Sequence, residues 1–238
     1  MRREHDPFDG LRVAVTGGTS GLGLALVKAL HRRGAQVAFV ARDAARVAAL
    51  AAQLPGSHGI DGDVARKDDI HALALRITSA LGGLDVLVNN ASSLGPVPLV
   101  PLADTECEDL EAALATNLVG PFRLSKALLG ALAASARDGG HPCIVHITSD
   151  AAVTPYASWG AYSASKAALL HMSRIWHEEL HDLGIEVLAH DPGDMDTPLH
   201  AAALPDADPA SLKRPAAAAA ELLDRIAFTR AAIAGAPA

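Results

Sequence analysis

The sequence predicts an α/β fold, a doubly wound parallel sheet of about six strands with helices on both faces, on three observations. Short apolar runs alternate with longer helical patterns along most of the chain, the order that covers a parallel sheet on both sides. A glycine-rich string, Thr16-Gly17-Gly18-Thr19-Ser20-Gly21-Leu22-Gly23, joins the first run to the first helical pattern. Half of the 238 residues are apolar, enough to bury a full core in a single domain spanning 1–238.

Taken in order, 11–16 is the first expected strand, and 22–33 a helix closed by Gly34. A second strand over 37–41 leads to Asp43, which caps a helix through 54. A weaker third strand, 57–61, precedes a helix over 68–81 that Gly82-Gly83 stops. The fourth strand is 84–89, followed by a Ser/Gly/Pro loop over 92–101. The pattern over 104–134 predicts a long helix bent near Gly120-Pro121, because proline removes an internal hydrogen bond. Then come a strand over 143–148, a helix over 162–183, a strand over 185–189 and a last helix over 215–229. Residues 1–10 form an N-terminal tail, and 194–214 a loop region over a pocket.

The glycine string carries the first chemical signal. Glycines permit a tight turn and close approach of the backbone, and the helix that follows offers unpaired N–H groups to an anion such as a pyrophosphate. Gly17, Thr19, Ser20, Gly21, Leu22 and Gly23 are therefore candidate dinucleotide-binding residues. The second strand ends in Ala41-Arg42-Asp43. An arginine there suits a 2′-phosphate, whereas an acidic residue would hold a 2′-hydroxyl. With Asp43 better placed as a cap, Arg42 favours NADP(H) over NAD(H); the bland alternative is a solvated strand-end charge.

The second signal is Tyr162 and Lys166 in Tyr162-Ser163-Ala164-Ser165-Lys166, with Ser149 upstream. Four residues apart on a helix, they share one face. Bringing a phenol from ~10 to about 7 needs roughly 4 kcal/mol, about what a unit charge at ~4 Å supplies in an effective dielectric of ~20, so one lysine helped by a cofactor charge is enough in magnitude. The expectation is a tyrosine that exchanges protons near neutral pH.

Composition excludes several classes. A net charge of −7 disfavours nucleic acid and anionic membrane as main partners, and 3% aromatic content disfavours an aromatic-lined binder. Two cysteines suit a reducing compartment. The N-terminus has charges without an apolar run behind them and no stretch approaches a membrane span, so a cytoplasmic protein is expected. No metal is expected either. Cys143 and His146 fall on opposite sides of a strand, and no second ligand pair accompanies them.

Together these residues resemble the short-chain dehydrogenase/reductase family, NAD(P)-dependent oxidoreductases on a Rossmann sheet, over about 11–197. The resemblance implies a cofactor loop at 16–23 and adenine contact by Asp63-Val64; an alternative for Asp63 is a turn cap. It implies cofactor contacts by Asn90 and Ala91 of Asn89-Asn90-Ala91, and closure over the nicotinamide by Pro192, Gly193 and Thr197. Asn117, Ser149, Tyr162 and Lys166 fall at the catalytic positions. Ser149 would bond a substrate oxygen, Tyr162 transfer the proton, Lys166 hold the ribose and lower the tyrosine, and Asn117 anchor a water leading to solvent. Two departures stand out. Ser92 occupies a position where glycine is usual, and the C-terminus leaves little room for a seventh strand or the tetramer contact made through it. A homodimer through the 104–134 and 162–183 helices is expected.

Loops 92–97, 150–159 and 194–203 should form a mostly apolar pocket from Ser92, Leu94, Pro96, Val153, Tyr156, Trp159, Met195 and Leu199. Asp150, Asp194 and Asp196 either bias the substrate charge or cap turns. The reading is NADPH-dependent reduction of a ketone or aldehyde, reversible. Its alternatives are an NAD-dependent alcohol dehydrogenase or a non-catalytic nucleotide sensor, which has no need for serine, tyrosine and lysine together.

Overall fold

A computed structural model describes residues 6–234. Among these, six strands form one parallel sheet in the order β3-β2-β1-β4-β5-β6. They are β1 (Arg12–Thr16), β2 (Gln36–Ala41), β3 (His58–Asp61), β4 (Val86–Asn89), β5 (Cys143–Ile147) and β6 (Glu186–His190). The helices are α1 (Gly21–Arg32), α2 (Ala44–Gln53), α3 (Ile70–Leu81), α4 (Cys107–Leu114), α5 (Gly120–Arg137), α6 (Gly160–Leu180), α7 (Pro198–Ala203) and α8 (Pro215–Ala234). The sheet is thus the six-stranded Rossmann type that the sequence predicts.

Alternation along the strands feeds two cores. Val13, Val15, Val37, Phe39, Val86 and Val88 pack on one face with Leu26 and Leu30 of α1 and Leu222 and Leu223 of α8. Ala14, Ala38, Val40, Leu87 and Ile144 pack on the other with Ile77 of α3, Leu124 and Leu128 of α5 and Trp176 of α6. Burial on both faces explains why the strands read as near-continuous apolar runs. The chain reverses strand order between β1 and β4, and ligand clefts open beyond the carboxyl ends of strands at such a point.

Three local readings need correction. Residues 6–10 are not a loose tail. Phe8 is buried in the core, Arg33 lies over its ring at 4.4 Å, and the Arg33 Nε donates to Asp6 at 2.9 Å. The long helix of 104–134 starts at Cys107 and is interrupted rather than simply bent, with Ala115–Val119 forming a π-helical turn. Pro121 has no N–H to give the Asn117 carbonyl, so the regular ladder cannot pass this point. The last helix runs to Ala234, five residues beyond the expected end, and the remaining C-terminal tail lies outside the described residues.

Helix and strand ends follow the expected chemistry. Asp43 accepts from the Arg46 N–H at 3.0 Å and caps α2, while Gly34 and Gly82 take the left-handed φ values (80° and 67°) that end α1 and α3. Below the sheet, Arg12 donates to both oxygens of Asp85 at 2.9 and 2.7 Å, and Ser135 adds a bond at 2.6 Å. Burial pushes the Asp85 carboxyl up, but the bonds from Arg12 and Ser135 outweigh it and hold it below its ordinary value of 3.8. The pair therefore contributes stability in full above that value, lost as pH falls through the depressed folded one. Asp85→Asn should destabilise the fold by about 2–3 kcal/mol at neutral pH, and the difference from the parent in urea melts should shrink as the medium is acidified.

Candidate active site

One cleft of about 620 Å³ runs along the carboxyl edge of the sheet. Its wall is made of the segments that follow each strand: Gly17 and Thr19–Leu22 after β1, Arg42 and Asp43 after β2, Asp63 and Val64 after β3, Asn90–Ser92 after β4, Thr148–Ala151 after β5, and Asp191–Met195 after β6. Tyr162 and Lys166 enter from the first turns of α6.

At the nucleotide end, Ser20 is the N-cap of α1 yet makes no side-chain cap bond, and the first turn carries no acidic residue. The helix N-terminus therefore presents open N–H groups and a partial positive charge, a donor set that fits a pyrophosphate. Gly17 has a positive φ of 68°, and a side chain there would press on the Asn90 amide at 2.9 Å. Thr16 ties this loop to the next strand: its hydroxyl accepts from the N–H groups of Asn90 and Ala91 at 3.0 and 3.1 Å. The Asn90 amide donates to the Thr16 carbonyl at 2.9 Å. Gly23 does not line the cleft; its missing side chain lets α1 pack against the Gly17 carbonyl and the Asn90 amide. Asp63 lines the cleft, and its carboxylate accepts from the Ala65 N–H at 2.9 Å, so the turn-cap role exists alongside any adenine contact. Arg42 lines the same end, as does Arg46, four residues on, which the sequence reading passed over. Arg46 contacts Asp43 at 3.4 Å; Arg42 has no ion-pair partner among the described residues.

At the other end Ser149, Tyr162 and Lys166 share the cleft. Lys166 is buried and donates to the Ile147 carbonyl at 2.8 Å, with its Nζ 5.5 Å from the Tyr162 ring centre. Burial lowers the ammonium to about 8, with Asp191 pulling the other way. Burial also pushes the Tyr162 phenol up to about 12, against hydrogen bonds from Ser149 and Ser92 that lower it. The expected drop toward 7 is therefore not supplied by the protein's own groups. Lys166 points its charge at a carbonyl oxygen, and desolvation of the phenol dominates.

Asn117 lies behind the wall rather than in it. Fully buried in the π-helical turn, its amide donates to the Ser93 carbonyl (2.7 Å) and the Ser165 hydroxyl (2.8 Å). Its oxygen accepts from the Ser93 N–H (2.8 Å) and the Ser92 hydroxyl (3.2 Å). With those four bonds its side chain is saturated, so the expected water anchor is not its side chain; the side chain instead holds the 92–93 loop against α6.

Of the expected substrate wall, Ser92, Leu94, Tyr156, Trp159, Met195 and Leu199 line the cleft, together with Pro192, Gly193 and Thr197. Pro96 and Val153 do not; Val153 is 74% exposed. Thr116, His200, Ala203 and Leu204 were missed; the wall is mostly apolar, with polar groups at Thr116, Asp150, Tyr156 and His200. Tyr156 donates to Asp150 at 2.6 Å and Ser149 to its other oxygen at 3.0 Å. Those bonds, Tyr156 foremost, hold the Asp150 carboxyl below its ordinary value. Asp194 and Asp196 bind the main chain of Lys213 through their backbones (3.0 Å each), closing the 194–213 loop at its base. Away from the site, His146 bonds Ser173 at 2.8 Å on the α6 side, while Cys143 packs in the opposite core.

The profile of the short chain dehydrogenase family matches residues 12–208 of this chain. The chain belongs to the short-chain dehydrogenase family. Its relatives include the L-fucose dehydrogenase of Mus musculus, 33% identical over 81% of this chain and 68% of that protein. The glucose 1-dehydrogenase of Gluconobacter oxydans is 33% identical over 82% and 73%. Among solved structures, a short-chain dehydrogenase from Burkholderia cenocepacia in complex with NADP superposes with a TM-score of 0.81 at 30% identity, over 93% of this chain and 91% of that one. One from Shigella flexneri complexed with NADP gives 0.82 at 26%, over 90% and 89%. This short-chain dehydrogenase is accordingly an oxidoreductase acting on CH–OH groups of small molecules. Among its described residues no helix is long and apolar enough to cross a membrane.

Proposed function

We propose that this short-chain dehydrogenase reduces a ketone or aldehyde to an alcohol with NADPH, reversibly. The observation that carries the reading is the convergence of Ser149, Tyr162 and Lys166 at one end of a cleft whose other end holds Arg42 and Arg46. NADP(H), when bound, supplies the hydride. The chain's own residues do the rest. The open N-terminus of α1 binds the diphosphate, and Arg42 with Arg46 accepts the 2′-phosphate. Lys166 orients the ribose, and Ser149 stabilises charge growing on the carbonyl oxygen. Tyr162 delivers its proton to that oxygen. The test is NADPH oxidation against a panel of aldehydes, ketones and diketones, with NADH as control. Turnover with NADPH is expected; nucleotide binding without turnover across the panel would sink the reading in favour of a sensor.

A second reading, oxidation of a polyhydroxylated alcohol, is favoured by the polar groups at Asp150, Tyr156 and His200 and by the names of the sugar dehydrogenases above. L-Fucose and D-glucose with NADP+ or NAD+ belong in the same panel.

We also propose a homodimer through α5 and α6. Phe122 and Trp176 lie there with tilted rings 5.6 Å between centres, and Phe122 and Ile175 are 38% and 45% exposed. Light scattering should give twice the chain mass, and Ile175→Glu with Phe122→Glu should halve it. Cytoplasmic residence is the accompanying proposal, supported by the two free cysteines.

A further inference from the structure

The Ser149 hydroxyl has one proton, and in this structure that proton is committed. It donates to Asp150 Oδ1 at 3.0 Å. The Ala151 N–H donates to both residues, at 3.2 Å to Ser149 Oγ and at 2.8 Å to Asp150 Oδ1. Tyr156 holds the far side of the same carboxylate, donating to Oδ2 at 2.6 Å. All three side chains line the cleft. A serine hydroxyl has one donor and two acceptor sites, so with its proton on Asp150 it offers an incoming ligand only a lone pair. A carbonyl oxygen is acceptor-only, and the two cannot bond until Ser149 lets Asp150 go. Asp150 then keeps its bonds from Ala151 and Tyr156 and loses a third donor.

A substrate can replace that donor itself. A hydroxyl on the carbon next to a carbonyl carries its own proton. When both point the same way, its oxygen lies a hydrogen bond's length from the carbonyl oxygen. Ser149 Oγ and Asp150 Oδ1 have the same kind of spacing, 3.0 Å. One pair of oxygens can therefore lie alongside the other. Ser149 turns its proton to the carbonyl oxygen, and the neighbouring hydroxyl gives a hydrogen bond to Asp150. A plain ketone breaks the Ser149–Asp150 bond and brings only an acceptor in return.

We propose that Asp150 is a specificity-determining residue that selects carbonyl compounds with a hydroxyl on the adjacent carbon, and vicinal diols in the reverse direction, by exchanging its bond from Ser149 for one from that hydroxyl. The inference rests on the reading of Ser149 as the partner of the substrate oxygen. The hydride and the phenol proton move as in that reading. The Ser149 proton changes acceptor without leaving serine, and Asp150 stays ionised throughout. The bond from Tyr156, with those from Ser149 and Ala151, holds its carboxyl below the ordinary value of 3.8, so it remains an acceptor at neutral pH.

The test compares 3-hydroxy-2-butanone with 3-methoxy-2-butanone, which has an oxygen at the same place and no proton on it. With NADPH the native protein should use the hydroxy ketone with about tenfold the kcat/KM of the methoxy ketone, the worth of one hydrogen bond to a charged group. Asp150→Ala should bring that ratio to within about twofold of unity. Tyr156→Phe removes the other side-chain bond to the carboxylate and should keep the ratio, which separates recognition by Asp150 from general support of its loop. Binding gives the same comparison without chemistry. In the NADPH complex, where an alcohol has no acceptor for its hydride, 2,3-butanediol should bind about tenfold more tightly than 3-methoxy-2-butanol by calorimetry, and Asp150→Ala should abolish the difference. Equal binding of the two alcohols to the native protein, binding of neither, or a preference that survives in Asp150→Ala overturns the proposal. Should Asp150→Ala fail to fold, Asp150→Asn, which keeps the size and loses the charge, should lower both preferences severalfold, and unchanged preferences there overturn it equally. If no carbonyl is turned over while the diol is still preferred in binding, the reading of the reaction falls and this assignment stands. Turnover without the preference has the opposite meaning.

Discussion

Tyr162→Phe is expected to cut turnover by about 10²–10⁴-fold, the usual share of a positioned general acid. The substitution removes one oxygen and keeps a ring that is buried and packed edge-on against Trp159 at 5.7 Å. Folding should therefore be nearly unchanged, and so should the dissociation constant of NADPH measured by fluorescence. The loss should appear in kcat and kcat/KM together, because the proton is needed only as the transition state forms. The phenol is held up to about 12 by burial, so in reduction it stays protonated through neutral pH. Alcohol oxidation needs the deprotonated form and should accelerate as pH rises. A mutant that retains parental turnover on a substrate active with the parent would remove Tyr162 from the chemistry.

The other large effect is expected at the opposite end of the cleft. Arg42→Ala combined with Arg46→Ala should raise KM for NADPH by about 10–100-fold, the worth of one or two charge-assisted bonds, and leave KM for NADH within about twofold. Arg42 alone should account for most of this, because Arg46 already lies 3.4 Å from Asp43 and shares its charge. Both side chains are exposed, so the effect should weaken with added salt. Equal changes for the two nucleotides would show that these arginines do not read the 2′-phosphate, and the NAD-linked reading would then take precedence.

What the sequence made legible was local. Strand runs, the cap at Asp43 and the turn at Gly17 depend on neighbours a few positions away, and each lies within a residue or two of its expected place. What escaped was set by distant contacts. Phe8 is a lone apolar residue among charges, with no periodicity to mark it; it is core only because Arg33 and the first strand close over it. Pro121 announced a fault in the long helix, but its form as a π-helical turn depends on how the ladder re-registers. Arg46 lies one turn into α2, four residues beyond Arg42, and only the folded helix brings it back to the strand-end position that Arg42 occupies. The environment of Tyr162 could not be read from the spacing to Lys166. That spacing places both on one face of a helix, yet whether the ammonium turns to the phenol or to the Ile147 carbonyl is decided by the neighbouring strand. Likewise the resemblance marks Asn117 as a water anchor, while the four bonds that occupy its side chain come from Ser92, Ser93 and Ser165, all distant from it in the chain.

The short ladder joining Asp194 and Asp196 to Lys213 pins both ends of the intervening stretch at one spot. Substitutions, insertions or deletions between those pins should reshape the cleft wall at Leu199 and Leu204 without transmitting strain to the sheet. Within such a scaffold the stretch 198–212 is a cassette, open to rewriting for a different alcohol everywhere but at Ala203, which packs with Tyr162.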